Sequence, residues 1–231
     1  MDITGTTALV TGANRGLGRH FASQLLERGA RRVYAAARDP STIDLPGVVA
    51  VALDVTDPAS VAAAAALAGD TTLLVNNAGI SQPQPLLSGD LEVMRREMET
   101  NHFGILATLR AFAPILAANG GGGVLNVLSA MSWGASPGVS GYGASKAAAW
   151  SLTNHARLEL AAQGTQVTGL YLALTDTDMT AGFDAPKNDP ADVVRAALDG
   201  LAAGAAEVVA DEDTARVKAE LSRDPAEAIA L

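Results

Sequence analysis

The sequence predicts an α/β fold: a doubly wound, open parallel sheet of about seven strands with helices on both faces. Short β-type runs alternate with helical stretches from one end of the chain to the other. The first run ends in a glycine-rich turn, "TGANRGLG" (11–18). The 231 residues, 48% hydrophobic and 18% charged, suffice for one substantial core but not for two full domains. Strand and helix in regular alternation imply a parallel sheet buried on both sides. A closed barrel is the rival arrangement; about seven strands in this length, with glycines after the first, favour the open sheet. The chain from 1 to 231 reads as one domain.

The elements follow in order. "TALVTG" (7–12) is a buried strand ending at glycine, and "GRHFASQLLERG" (18–29) is a helix with Phe21, Leu25 and Leu26 on one face and Gly29 as its stop. "RRVYAAA" (31–37) and "VVAVALDV" (48–55) are strands two and three. Asp57 before Pro58 is an N-cap followed by proline at the first helical position, opening an alanine-rich helix. "TTLLVNNAG" (71–79) is strand four, and a helical region over about 89–118 is broken or bent near "TNHFG" (100–104). Glycines 120–123 end it, "VLNVLSA" (124–130) is strand five, and a helix runs from near Tyr142 to about Ala162. "TQVTGLYLA" (165–173) is strand six; Asp189–Pro190 caps a helix to about Ala203; "AEVVAD" (206–211) is the last strand, and a polar helix closes the chain.

Composition excludes several functions. Lys plus Arg number 16 against 25 Asp plus Glu, a formal charge of −9 without a concentrated basic patch, so neither nucleic acid nor an anionic membrane is an expected partner. Cysteine is absent, which removes disulfides, thiolate metal sites and a cysteine nucleophile. The start "MDITGTTALV" lacks an early basic residue and is not a secretory signal, and no apolar run approaches the ~18 residues that span a bilayer. The expectation is a cytoplasmic protein. His20, His102 and His155 lack ligand spacing, so no metal is expected. "GASPG" (134–138) matches the G-x-S-x-G of serine hydrolases, but the residue after the serine is Pro137, which has no N–H for an oxyanion hole.

In the turn after the first strand, Gly12, Gly16 and Gly18 allow positive φ, close approach of a ligand to the backbone, and packing of helix on strand. The helix N-terminus beyond offers free N–H groups and the positive end of a dipole, which suits a pyrophosphate. No Gly-Lys-Ser/Thr occurs, so this is not a P-loop.

"YGASK" (142–146) places a phenol and an ammonium four residues apart, on one face of a helix. A phenol of pKa ~10 is about one part in a thousand ionised at pH 7, and a neighbouring cation stabilises the phenolate. Such a group exchanges protons with a substrate oxygen near neutrality. Ser129, thirteen residues earlier, can supply a second donor if the intervening loop folds back.

Taken together and in order, "TGANRGLG", "NNAG" (76–79), Asn101, Ser129 and "YGASK" resemble the short-chain dehydrogenase/reductase family in its single-domain form, over nearly the whole chain from residue 5. The resemblance implies a Rossmann-type sheet of seven parallel strands and a nicotinamide cofactor. It implies that Tyr142 is the general acid in reduction and the base in oxidation, and that Lys146 binds the nicotinamide ribose and lowers the Tyr142 pKa. Ser129 positions the substrate oxygen, and Asn101 holds a water that links Lys146 to solvent. Gly12, Asn14, Arg15, Gly16, Leu17 and Gly18 receive the cofactor. Asp54 and Val55 flank the adenine, Asn77, Ala78 and Gly79 line the adenosine-ribose side, and Thr175 and Thr177 meet the carboxamide.

At the end of strand two, where NAD enzymes carry an acceptor for the ribose 2′-OH, this sequence has Ala37 followed by Arg38. An arginine forks onto a 2′-phosphate, and Arg15 is a second partner for it, so the expected cofactor is NADP(H). A register slip of two would make Asp39 the ribose acceptor and reverse the preference. After strand six the family's Pro-Gly is replaced by Leu172-Ala173, which bears on activity and substrate choice. With Met131, Trp133, Ala173, Leu174, Met179 and Phe183 as apolar walls, and a short segment at about 174–189, the expected substrate is an uncharged ketone, aldehyde or secondary alcohol. The alternative is a cofactor-binding regulator or scaffold on the same fold. Alanine-rich helices at 104–118 and 142–162 resemble those that pair between subunits in the family, implying a homotetramer ahead of a homodimer; sedimentation distinguishes these from a monomer.

Overall fold

The structure, a computed structural model, describes residues 1–224. Seven strands, β1 (Thr7–Thr11), β2 (Arg32–Ala37), β3 (Val49–Ala52), β4 (Leu73–Asn76), β5 (Gly123–Val127), β6 (Gln166–Tyr171) and β7 (Glu207–Val209), form one sheet in the order β3-β2-β1-β4-β5-β6-β7. Every neighbouring pair is parallel. This is the open doubly wound sheet favoured over a barrel, in the Rossmann-type form that the family resemblance implied. The order reverses between β1 and β4, and a crevice opens there beyond the carboxyl ends of the strands, where ligands of such sheets bind.

The helices are α1 (Gly16–Glu27), α2 (Pro58–Leu67), α3 (Leu91–Met98), α4 (Gly104–Ala118), α5 (Ser140–Leu160), α6 (Pro190–Ala202) and α7 (Glu212–Glu220). Asp57 and Asp189 cap α2 and α6 as their spacing implied, accepting from Ala59 N and Ala191 N, and Asp90 and Asp211 do the same for α3 and α7. Residues 99–103 do not break the helical path. They form one π turn joining α3 to α4, closed by Gly104 N–H donating to Glu99 O five residues back. Gly104 is needed for a different reason, since a Cβ there would lie 2.7 Å from Val55 Cγ2.

Two apolar layers sandwich the sheet. Phe21, Leu25, Val193, Val194 and Leu198 of α1 and α6 cover one face; Val61, Ile105, Leu109, Phe112, Leu116 and Ala149 of α2, α4 and α5 cover the other. All of these are buried. Among the described residues, no helix is long and apolar enough to cross a membrane.

Candidate active site

A cleft of about 710 Å³ runs along the carboxyl ends of the strands. One end is the turn between β1 and α1. Gly12 and Gly16 take φ of +64° and +51° there, in the left-handed region that a side chain disfavours. Gly18 does not take a positive φ, and its requirement is space: a Cβ would run into Gly12 O and Asn77 Nδ2. Gly18 therefore lets α1 pack on the strand end and does not line the cleft, whereas Gly12, Asn14, Arg15, Gly16 and Leu17 do. The start of α1 has no side-chain cap, which leaves its first-turn amides facing the cleft as donors.

The "NNAG" run joins β4 to β1. Thr11 Oγ1 accepts from Asn77 N and Ala78 N, both at 2.9 Å, and Asn77 Nδ2 donates to Thr11 O and Gly12 O at 2.9 and 3.1 Å. Asn77, Ala78 and Gly79 line the cleft between the glycine turn and the catalytic candidates. Asp54 lines it beside Val55, with Oδ1 committed to Thr56 N and Thr56 Oγ1 at 2.9 and 2.7 Å. Those bonds, with Arg38 nearby, hold its carboxyl below the ordinary value. Asp54 is thus a turn former and a wall residue at once.

At the end of β2, Arg38 and Asp39 both reach the cleft and both are exposed. Asp39 Oδ1 accepts from Ser41 N and Ser41 Oγ at 3.0 and 2.6 Å, capping the turn 40–42 and lowering the carboxyl pKa. Arg15 Nη1 meets Asp178 Oδ2 at 3.3 Å across the mouth of the cleft, with both side chains about 70% exposed. Such a pair contributes little and gives way readily to a stronger anion.

At the other end, β5 brings Ser129 and α5 brings Tyr142 and Lys146 to the wall. The Ser129 side chain adjoins the Tyr142 hydroxyl and favours its ionised form. Ser129 Oγ also accepts from Met131 N at 3.1 Å and lies 3.5 Å from Leu172 O. Lys146 is 4% exposed; its Nζ donates to Val127 O at 2.8 Å and sits 5.6 Å from the centroid of the Tyr142 ring. Burial lowers the Lys146 pKa to about 8. Burial likewise raises that of Tyr142, against the Ser129 side chain, and the charge of Glu97 raises it further. The sequence-based expectation that Lys146 depresses the phenol pKa is therefore not met by these residues alone. Desolvation of both groups outweighs the ammonium, which is turned toward the Val127 carbonyl.

Asn101 lies in the π turn, fully buried behind the wall. Its Oδ1 accepts from Ile80 N at 2.8 Å, and its Nδ2 donates to Ile80 O and Ser145 Oγ, both at 2.9 Å. Ser145 in turn donates to Tyr142 O at 2.7 Å. Both amide protons of Asn101 are spent on positioning. Its Oδ1 remains close to Lys146 around Gly79, where a Cβ would lie 3.1 Å from Oδ1 and 3.7 Å from Nζ.

The loop after β6 supplies Ala173, Thr175, Thr177 and Met179 to the wall. Ala173 N, at the position that departs from Pro-Gly, donates to Asp211 Oδ2 at 2.9 Å. Four apolar candidates are not wall residues: Met131, Trp133, Leu174 and Phe183. Trp133 instead stacks on Tyr171 with ring centroids 4.0 Å apart, under the Lys218 ammonium of α7. Leu174 is held at the base of its loop, where its carbonyl accepts from Asn188 N at 2.9 Å, and Phe183 is 39% exposed. Sequence reasoning did not single out Thr42, Ile80, Arg96 or Thr100, which also line the cleft; such turn and helix residues carry no pattern that marks them.

The model of the short chain dehydrogenase family matches residues 6–188. The chain belongs to the short-chain dehydrogenase family. It is an oxidoreductase of alcohol and carbonyl groups. As a short-chain dehydrogenase it is 35% identical to a sorbitol dehydrogenase of Cereibacter sphaeroides, over 80% of this chain and 76% of that protein. Among solved structures, a short chain dehydrogenase from Burkholderia cenocepacia J2315 in complex with NADP shares 43% identity at a TM-score of 0.93, covering 97% of this chain and 95% of that one. A 3-ketoacyl-(acyl-carrier-protein) reductase from Brucella melitensis complexed with NADH shares 28% identity at a TM-score of 0.80, covering 86% and 91%.

Proposed function

We propose that this short-chain dehydrogenase is an NADP(H)-dependent oxidoreductase that interconverts an uncharged ketone or aldehyde with its alcohol, with Tyr142 as general acid and base. The observation that carries the reading is the convergence of Ser129, Tyr142 and Lys146 at one end of the cleft whose other end is the glycine turn.

The residues fit a dinucleotide. The cleft is of ligand size, the uncapped start of α1 presents amides for a pyrophosphate, and Gly12 and Gly16 keep side chains out of its path. When bound, the nicotinamide supplies or accepts the hydride. The remaining chemistry belongs to the chain. Tyr142 gives its proton to the carbonyl oxygen in reduction and takes one from the alcohol in oxidation. Ser129 donates a hydrogen bond to the same oxygen. With a pKa of about 8, Lys146 is protonated roughly ten to one at pH 7, which favours release of the Tyr142 proton and provides a donor for the ribose hydroxyls. Asn101 Oδ1 is the residue's contribution to a water link between Lys146 and solvent.

For cofactor choice, Arg38 is exposed at the rim and free to fork onto a 2′-phosphate, while Asp39 already uses an oxygen on Ser41. Arg15 is a second phosphate partner, released from its exposed pair with Asp178. The NADP complex of the Burkholderia relative supports this preference; the NADH complex of the Brucella relative is its counterweight. Ala173 and Met179 are the apolar side of the substrate site.

Fluorescence titration of the parent with NADPH and NADH, followed by a carbonyl panel scored by cofactor oxidation, tests the reading. Tyr142→Phe is expected to retain NADPH binding and lose turnover by about a thousandfold or more. Equal turnover in the parent and Tyr142→Phe removes the assigned role. Cofactor binding without turnover of any carbonyl in the parent favours the regulator on the same fold.

A further inference from the structure

Glu97 on α3 is 1% exposed, carries a carboxyl, and has no part in the chemistry above. Its Oε1 accepts from Gln82 N at 2.7 Å. Its Oε2 faces the Cα of Gly141 in the first turn of α5, where a Cβ would collide with it and lie 2.9 Å from Met94 Cγ. One helical turn further along both helices, Asn101 binds Ile80 N and O and Ser145 Oγ. The chain after β4 thus meets the α3–α4 path and α5 in two layers, the first hydrogen-bonded through to α5 and the second bonded at Gln82 and packed on α5 at Gly141. Ile80, Asn101 and Ser145 form one; Gln82, Glu97 and Gly141 form the other. The spacing is two residues along the post-β4 segment and four along each helix. Lys146 follows the first layer's residue on α5, and Tyr142 follows the second's.

We propose that Glu97 is a positioning residue for Tyr142: its carboxyl bonds the chain after β4, packs against Gly141 in the first turn of α5, and so places a titratable group next to the residue that precedes Tyr142. The inference rests on the assignment of Tyr142 as acid and base. The first layer is built on an amide, which has no charge to vary, and reaches the Tyr142 backbone through Ser145. The second is built on a carboxyl, which has a charge to vary, packed on the residue before Tyr142. Burial raises the Glu97 pKa, and its ionised form raises that of Tyr142. The other ionisable groups on the packed elements are Glu92, Arg95 and Arg96 on α3, Lys146, His155, Arg157 and Glu159 on α5, and in the π turn exposed Glu99 and half-buried His102, whose ring meets Phe103 edge-on. Protonation of Glu97 removes the repulsion, so the carboxyl adjusts how readily the phenol gives up its proton.

Glu97→Gln keeps the size and the acceptor for Gln82 N while removing the ionisation. The phenolate absorbance of the cofactor-free protein is titrated over the pH range in which circular dichroism shows it folded, with Tyr142→Phe used to subtract Tyr34 and Tyr171. The Tyr142 transition in Glu97→Gln is expected about one pH unit below the parent's, and the acidic limb of the alcohol-oxidation profile is expected to move the same way. Superimposable titrations and profiles overturn the proposal. Glu97→Ala removes the acceptor as well. It is expected to bind NADPH as the parent does and to lose at least about tenfold in kcat, a step the glutamine variant avoids; a change in thermal stability with kcat intact overturns the positioning role. A parent without turnover sinks the proposed activity, while the phenolate titration still decides for or against Glu97.

Discussion

The face of the sheet under α1 and α6 differs in kind from the face under α4 and α5. Toward α1 and α6 the central strands present Ala8, Val10, Leu73, Val75, Leu125 and Val127, all packed on apolar helix residues. Toward α4 and α5, Leu9, Leu74, Val124 and Leu128 share the surface with Asn76 and Asn126, which are register partners in neighbouring strands. A buried hydrogen-bond chain runs across this second face. Thr108 Oγ1 donates to Asn76 Oδ1 at 2.7 Å, Asn76 Nδ2 to Asn126 Oδ1 at 2.9 Å, and Asn126 Nδ2 to Thr153 Oγ1 at 3.0 Å. Apolar contact is non-directional and tolerates a small slide of a helix on a sheet. A satisfied polar chain does not, and α5, which carries Tyr142 and Lys146, is the helix it fixes. The apolar face supplies stability and the polar face supplies position.

The comparison breaks most visibly at Leu198, a fully buried side chain of α6 on the apolar face. Leu198→Ala is expected to cost about 3 kcal/mol in denaturant unfolding through lost transfer energy and the cavity left behind. The kcat and KM of the folded enzyme are expected to be unchanged. A fall in kcat comparable to that of an active-site variant would mean that this face also sets catalytic geometry.

The division also explains what could be read in advance. Period and punctuation made the apolar face legible: the stripe of Phe21 and Leu25, the Asp-Pro cap at 189, and the glycine turn all act through local physics. The Tyr142–Lys146 spacing was legible for the same reason. The polar chain was not, because its partners are 27 to 50 residues apart. One signal was present, an Asn inside each of the apolar runs "LLVN" and "GVLNV". Trp133 was misplaced because the turn at 130–132 swings it onto Tyr171 and Lys218, contacts that depend on β6 and α7. The pKa of Tyr142 was misjudged because spacing reports a neighbour and says nothing of burial.

Lys146 sharpens the contrast from the polar side. Its pKa falls from 10.5 to about 8 on folding, so keeping it charged at pH 7 costs about 3 kcal/mol. Lys146→Met removes that cost but leaves Val127 O without its 2.8 Å donor, about 1 kcal/mol in return. The expected result at pH 7 is a variant about 2 kcal/mol more stable and without turnover. The sign with pH follows from proton counts. Between about pH 8 and 10.5 the unfolded parent binds more protons than the folded, so the parent gains stability as pH rises and the advantage of the variant shrinks. A variant less stable than the parent at pH 7, or an advantage that grows with alkalinity, would show that the site welcomes the charge.

The smallest effect expected is a coupling. Asn126→Leu strands Asn76 Nδ2 and removes a donor from Thr153 Oγ1, yet Thr153 keeps its own bond to Ala149 O at 2.7 Å. The loss therefore falls mainly on Asn76, and Thr153→Val alone strands only Asn126 Nδ2. In a double-mutant cycle the pair is expected to be less destabilising than the sum of its parts by about 1 kcal/mol, since the second change removes a partner already lost. If the chain sets the position of α5, kcat falls in both single variants while NADPH affinity does not, and no such split follows from Leu198→Ala. Strict additivity together with unchanged kcat would reduce the polar chain to filler, and the two faces would then differ in composition without differing in task.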